Sequence, residues 1–203
     1  MISLLLVAAL NNNLDDLIAR VMTTYGGAAA WSKVTGLHET GTVTPAMRPG
    51  EGKLTRDWQR RDKLRVEIVY PANTEVRIVD GDHGTQNGKD ASGIGLDAMR
   101  LQAARLALPQ LLIEKRQTLR QIENGNVIEI TLTPSMTLTI EIDPATGRIV
   151  RSTGKAAGVE FSTSYSDFRT VDGLLFAFRE ENSAGPTKTG TNQLVAVEVT
   201  RSR

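Results

Sequence analysis

The chain has 203 residues, a formal net charge of +1, 40% hydrophobic and 23% charged residues, and no cysteine. The balanced charge excludes a globally basic nucleic-acid binder, and 4% aromatic content argues against a base-stacking surface. The missing thiols exclude disulfides, cysteine nucleophiles and thiolate metal sites, and two histidines cannot make a three-histidine site. The length suits one domain with one sizeable core, and no run of apolar residues is long enough for a transmembrane helix.

Met1–Leu10 (MISLLLVAAL) is apolar apart from Ser3. It resembles the apolar region of a secretory signal, although it lacks a basic leader. Residues 1–12 are therefore read as a possible signal remnant, the alternative being that Leu4–Leu10 is a core-packing first helical turn; residues 13–203 form the single domain. In Asn13–Met22 the apolar positions 14, 17, 18, 21 and 22 form one helical stripe. Asn13 can cap this helix, and Gly26-Gly27 ends it. Ala28–Lys33 reads as a short second helical turn carrying Trp31.

The period then changes to two. Leu54, Arg56, Trp58 and Arg60 share one phase of a strand; Leu64, Val66, Ile68 and Tyr70 share one phase of the next. Arg61-Asp62, Pro71-Ala72-Asn73 and Gly81-Asp82-His83-Gly84 supply turns, and Asn87-Gly88 is a further turn signal. Leu96–Leu108 is a helix too apolar for a single buried stripe, with a kink expected at Pro109. Beyond Lys115 the strands resume to the end of the chain. The count is about eleven strands, too many for a flat open sheet. The predicted fold is mainly β with α: a curled, incomplete antiparallel β-barrel whose helices cover its concave face.

Three local motifs fit this order. Tyr25-Gly26-Gly27-Ala28-Ala29-Ala30-Trp31 leads into Leu37-His38-Glu39-Thr40-Gly41. Val79–Gly88 is a hairpin with Asp80-Gly81 at its turn, and Tyr165–Phe176 contains Tyr-Ser-Asp-Phe followed by Val-Asp-Gly. Together with the helix, strand, helix, strand order they resemble the LolA/LolB-like superfamily of periplasmic lipoprotein carriers over about residues 13 to 201. Thr85 stands where that superfamily commonly has a Trp. The resemblance implies a half-open barrel, lidded by helices, that accepts an acyl chain or the lipid of a lipoprotein. It further implies export to the periplasm, a role in outer-membrane lipoprotein transport with a membrane-associated delivery partner, a monomeric state, and no catalysis, cofactor or metal.

Candidate cavity residues are Trp58, Leu96, Met99, Leu101, Leu106, Phe161, Phe176 and Phe178. Each has an alternative role in plain core packing. Trp58 either gates the barrel mouth or stacks on its flanking arginines. Arg56 and Arg60 belong to a basic run that faces anionic headgroups or is simply a solvated strand face. Catalytic pairs are hard to draw: Glu180 and Glu181 are adjacent on a strand and so face opposite sides. His83 lies in a turn. The competing functional reading is an adaptor with a packed interior that binds a partner protein.

Overall fold

The computed structural model describes residues 14–61, 63–122, 125–156 and 158–202. The expected signal-like segment, residues 1–12, lies outside them. Helix α1 occupies residues 14–24. It stops where Gly26 and Gly27 take positive φ (98° and 99°), and at Gly26 any side chain would also collide with the Gly173 carbonyl. Helix α2 (Ala28–Ser32) buries Trp31, whose indole Nε1 donates to the Tyr25 carbonyl at 2.8 Å.

Among the described residues, thirteen strands form one antiparallel sheet. Six precede the central helices: β1 (Val34–Pro45), β2 (Gly52–Gln59), β3 (Lys63–Val69), β4 (Thr74–Asp80), β5 (His83–Gln86) and β6 (Lys89–Asp90). Seven follow: β7 (Leu119–Ile122), β8 (Val127–Thr133), β9 (Met136–Ile142), β10 (Ile149–Ala156), β11 (Val159–Val171), β12 (Leu174–Ala184) and β13 (Thr187–Arg201). The spatial order is β6-β5-β4-β3-β2-β1-β13-β12-β11-β10-β9-β8-β7. The sheet is thus two meanders joined where the first strand pairs the last, Leu37 opposite Val199 and Val43 opposite Asn192. Two strands exceed the expected count. They are the short β5 and β6, and β5 begins at His83, inside the stretch read as a turn.

The sheet does not close on itself: its edges are β6 and β7. The chain crosses from one edge to the other through α3 (Gly93–Leu106), α4 (Leu108–Glu114) and a single 3-10 turn. One expected helix is two. A helix running through Pro109 would lack that residue's N–H and meet the carbonyl four positions back. The break falls at Ala107 (φ −123°, ψ 42°), so that Pro109 falls in the first turn of the new helix, where its missing N–H costs no helical hydrogen bond.

Helix α3 packs against β4 and β5 on one flank of the sheet and against β10 on the other. Since these strands stand far apart in the sheet order, the sheet must curl around the helix, as predicted. Two glycines make room for it. A Cβ at Gly84 would lie 2.8 Å from Leu96, and one at Gly154 would lie 2.5 Å from Leu101. Helix α4 packs on α2, and the Arg60 guanidinium ties the end of β2 to both through Glu114 (2.8 Å) and the Ser32 carbonyl (3.0 Å). The core is continuous from α1 and α2 through Leu64, Val66, Ile128, Ile130, Leu138 and Ile140 to α3 and α4.

Candidate functional site

The alternation that builds the inner face is broken by charge in three strands. Glu39 follows Leu37 on β1, Arg56 sits between Leu54 and Trp58 on β2, and Glu180 follows Phe178 on β12. Pairing places Glu39 opposite Arg56 and Glu180 opposite both Tyr165 and Asn192. The three charges therefore meet inside the barrel. Arg56 lies 2.7 Å from Glu39 through Nε and grips Glu180 with both terminal nitrogens, at 2.7 and 3.0 Å. Asn192 Nδ2 also donates to Glu180, at 2.8 Å. Arg56 is 2% and Glu39 4% exposed, so this ion triad is core structure. The expectation that Arg56 lies on a basic, solvated strand face is corrected here: its phase on β2 is that of Leu54 and Trp58, and it points inward to the cavity floor.

Burial pushes the Glu39 carboxyl up, against the attraction of Arg56 and with the repulsion of Glu180. Glu180 is also desolvated, but the charge and hydrogen bonds of Arg56, with Asn192 and Arg105, outweigh burial and hold it below the ordinary carboxylate range. Burial pushes the Tyr165 phenol up to about 12. Helix α3 delivers Arg105 beside this group. Its Nε donates to Ser152 Oγ at 3.0 Å and its Nη2 to the Phe161 carbonyl at 2.6 Å, while Ser152 and Tyr165 share a hydroxyl contact of 2.7 Å.

The polar group divides the interior. On one side is a cavity of about 460 Å³ between α3 and the strand ends that carry Val43, Leu54, Ala184 and Gly190. Its apolar wall includes Ile68, Tyr70, Leu106 and Phe161; its floor is Arg56, Arg105, Tyr165 and Glu180. At its rim, Glu75 accepts from Arg48 (2.6 Å) and Arg77 (3.2 Å). Behind the floor lies about 50 Å³ of further space against Trp31, Leu108, Ile149 and Phe176. A cavity of the first size is within the roughly 300–1,000 Å³ of small-molecule sites.

Of the residues singled out from sequence, Arg56, Leu106 and Phe161 line the large cavity, and Phe176 and Leu106 line the small space behind it. Met99 and Leu101 are buried in the packed interface between α3 and the sheet, and Leu96 is half-buried against Gly84. Trp58 is 5% exposed and lies under Ala103, Ala107 and Leu111 of the helices, away from the cavity. Phe178 is buried, with the Arg169 guanidinium 4.5 Å from its ring centre. Arg60 is held at the opposite end of β2 from the cavity. Sequence reading passed over Arg105, and met Glu39 and Glu180 only as part of a motif and of an acidic pair, not as interior charges. The signal was available for the last two, as charges occupying the apolar phase of a strand. His38 and Glu39 point to opposite faces, and His38 pairs with Asp57 at 2.6 Å on the outside. Among the described residues no cluster of metal-ligating side chains is present.

A half-open antiparallel barrel with helices bridging its edges over an internal cavity defines a LolA-like fold. The chain is similar to the LolA superfamily protein NE2245 from Nitrosomonas europaea, with a TM-score of 0.59 and 8% identity over 92% of this chain and 93% of that one. A DUF1329 family protein from Desulfovibrio piger ATCC 29098 aligns at a TM-score of 0.49 and 10% identity, over 94% of this chain and 92% of that one. No family model and no curated protein sequence matches. The likeness is one of fold.

Proposed function

We propose that this protein is a non-catalytic lipid carrier or sensor, acting in the periplasm after export, that holds an acyl chain in the half-open barrel beneath α3. The observation that carries the reading is the 460 Å³ cavity between α3 and the concave sheet. Burying an acyl chain there gains about 0.8 kcal/mol per methylene, and the wall of Leu54, Ile68, Tyr70, Leu106 and Phe161 supplies apolar surface to receive it. The LolA-like fold and the absence of any described helix able to cross a membrane support the reading. Delivery would pass through a membrane-associated partner.

Titration with a fluorescent fatty acid tests this. The purified chain takes up the dye, and native mass spectrometry of gently purified protein finds a co-purified lipid. Gln102→Trp, which fills the cavity from α3, abolishes uptake while circular dichroism stays unchanged. Absence of dye uptake by the parent chain overturns the carrier reading. That result favours the adaptor, a reading supported by the charged floor and the small space behind it.

A further inference from the structure

The large cavity is lined by four arginines, Arg48, Arg56, Arg77 and Arg105, but by only two glutamates, Glu75 and Glu180. Glu39, behind the floor, brings the carboxylates to three. The cations are not equally served. Arg56 contacts Glu39 and Glu180, and Arg48 and Arg77 both contact Glu75. Arg105 alone of the four contacts no carboxylate among the described residues; its partners are a hydroxyl and a carbonyl, both neutral.

A guanidinium carries five N–H donors, and two contacts leave Arg105 with donors to spare at the cavity floor. Glu180, the carboxylate whose charge acts on Arg105, is already taken by Arg56 and Asn192. Burial accordingly lowers the Arg105 pKa from its ordinary value, against the opposing pull of Tyr165 and Glu180. A desolvated cation in contact only with neutral groups is costly, and an anion brought to it offsets that cost with charge-assisted hydrogen bonds.

We infer that the ligand is an anionic amphiphile, a carboxylate- or phosphate-headed acyl chain, whose charged group sits on Arg105 at the floor and whose chain lies along Leu54, Ile68, Tyr70 and Phe161. The inference rests on the lipid reading above and deepens it. The paired arginines at the rim add a positive field that draws an anion inward. The head therefore enters first and the apolar chain trails towards the mouth.

Calorimetric titration of the full chain compares palmitate and hexadecyl phosphate with neutral methyl palmitate, and with acetate and inorganic phosphate as headgroups without a chain. The two anionic amphiphiles bind about tenfold or more tighter than the ester, the gain of a hydrogen bond to a charged group. The bare anions bind far more weakly. Arg105→Gln erases the preference; Arg105→Lys, which keeps the charge, retains most of it. Equal binding of palmitate and its ester by the parent chain overturns the inference, needs neither variant, and leaves the lipid reading intact. A preference that survives Arg105→Gln also overturns it. Bare phosphate or acetate binding as tightly as the amphiphiles overturns the amphiphile half, and failure of every amphiphile to bind overturns both readings.

Discussion

At the scale of the residue, the barrel interior is decided by three ionisable side chains. Arg56 is the hub: both Glu39 and Glu180 are buried against it. Replacing it by Met leaves two carboxylates without their cation, and breaking such a buried pair costs about 3–5 kcal/mol. Urea denaturation of Arg56→Met should find a loss of that size; a loss below about 1 kcal/mol, as at ordinary surface sites, would mean that water reaches the triad. The two acids should respond differently to pH. Glu180 is held below its unfolded value of about 4.3, so its contribution is complete above that pH and is lost as pH falls through the folded value. Glu39 is raised, so its protonated form is the one the fold favours, and its ionisation at neutral pH works against stability. Glu180→Gln should therefore flatten the acid limb of a stability–pH curve, and at neutral pH should cost more than Glu39→Gln. Equal costs for the two variants would contradict this assignment. The same residues mark how far the sequence could be read. A charge in the apolar phase of β1, β2 and β12 was visible in each strand separately. That the three would meet depended on β1 pairing both β2 and β13, a contact between distant positions, such as Thr35 and Thr200, 165 apart, that no local pattern encodes.

At the scale of the element, local signals were strong where they were local. Period-two strands, the stripe of α1 and the Gly26-Gly27 stop all follow from sequence spacing. The weak signals were β5 and β6, four and two residues long, too short to carry a period of their own; α3 packs on β5. The seam between β1 and β13 turns on Gly41. There the register shifts after Thr40, and a Cβ at Gly41 would run into the Gln193 carbonyl and lie 2.8 Å from the Leu194 Cα. Neither obstacle is the end of a flexible side chain, so the backbone itself must move. Gly41→Ala should cost at least the roughly 1–3 kcal/mol of an overpacked core site by thermal or urea unfolding. A neutral Gly41→Ala variant would show that the two strands can slide past the insertion.

At the scale of the whole molecule, one connection does two jobs. The segment that links the free edges of the sheet is also the cover of its concave side, because α3 leaves β6, spans from β5 to β10, and returns through α4 to β7. On the proposed carrier reading, ligand access past such a strap would be governed by how easily α3 lifts. Leu96 touches the Gly84 site at the free-edge end of α3 and is only half-buried, so it can be changed at small cost. The chain has no cysteine of its own, which makes a Gly84→Cys, Leu96→Cys pair a clean lock between α3 and β5. A disulfide needs Cβ atoms about 3.5–4.5 Å apart, and the Leu96 side chain reaches the Gly84 position, its Cδ1 2.8 Å from where a Cβ would stand. When oxidised, this variant should take up fluorescent fatty acid several-fold more slowly than the parent, and reductant should restore the rate with no change in circular dichroism. Identical uptake rates in the oxidised and reduced forms would place the access route at the rim by Arg48 and Tyr70, with α3 as a fixed wall.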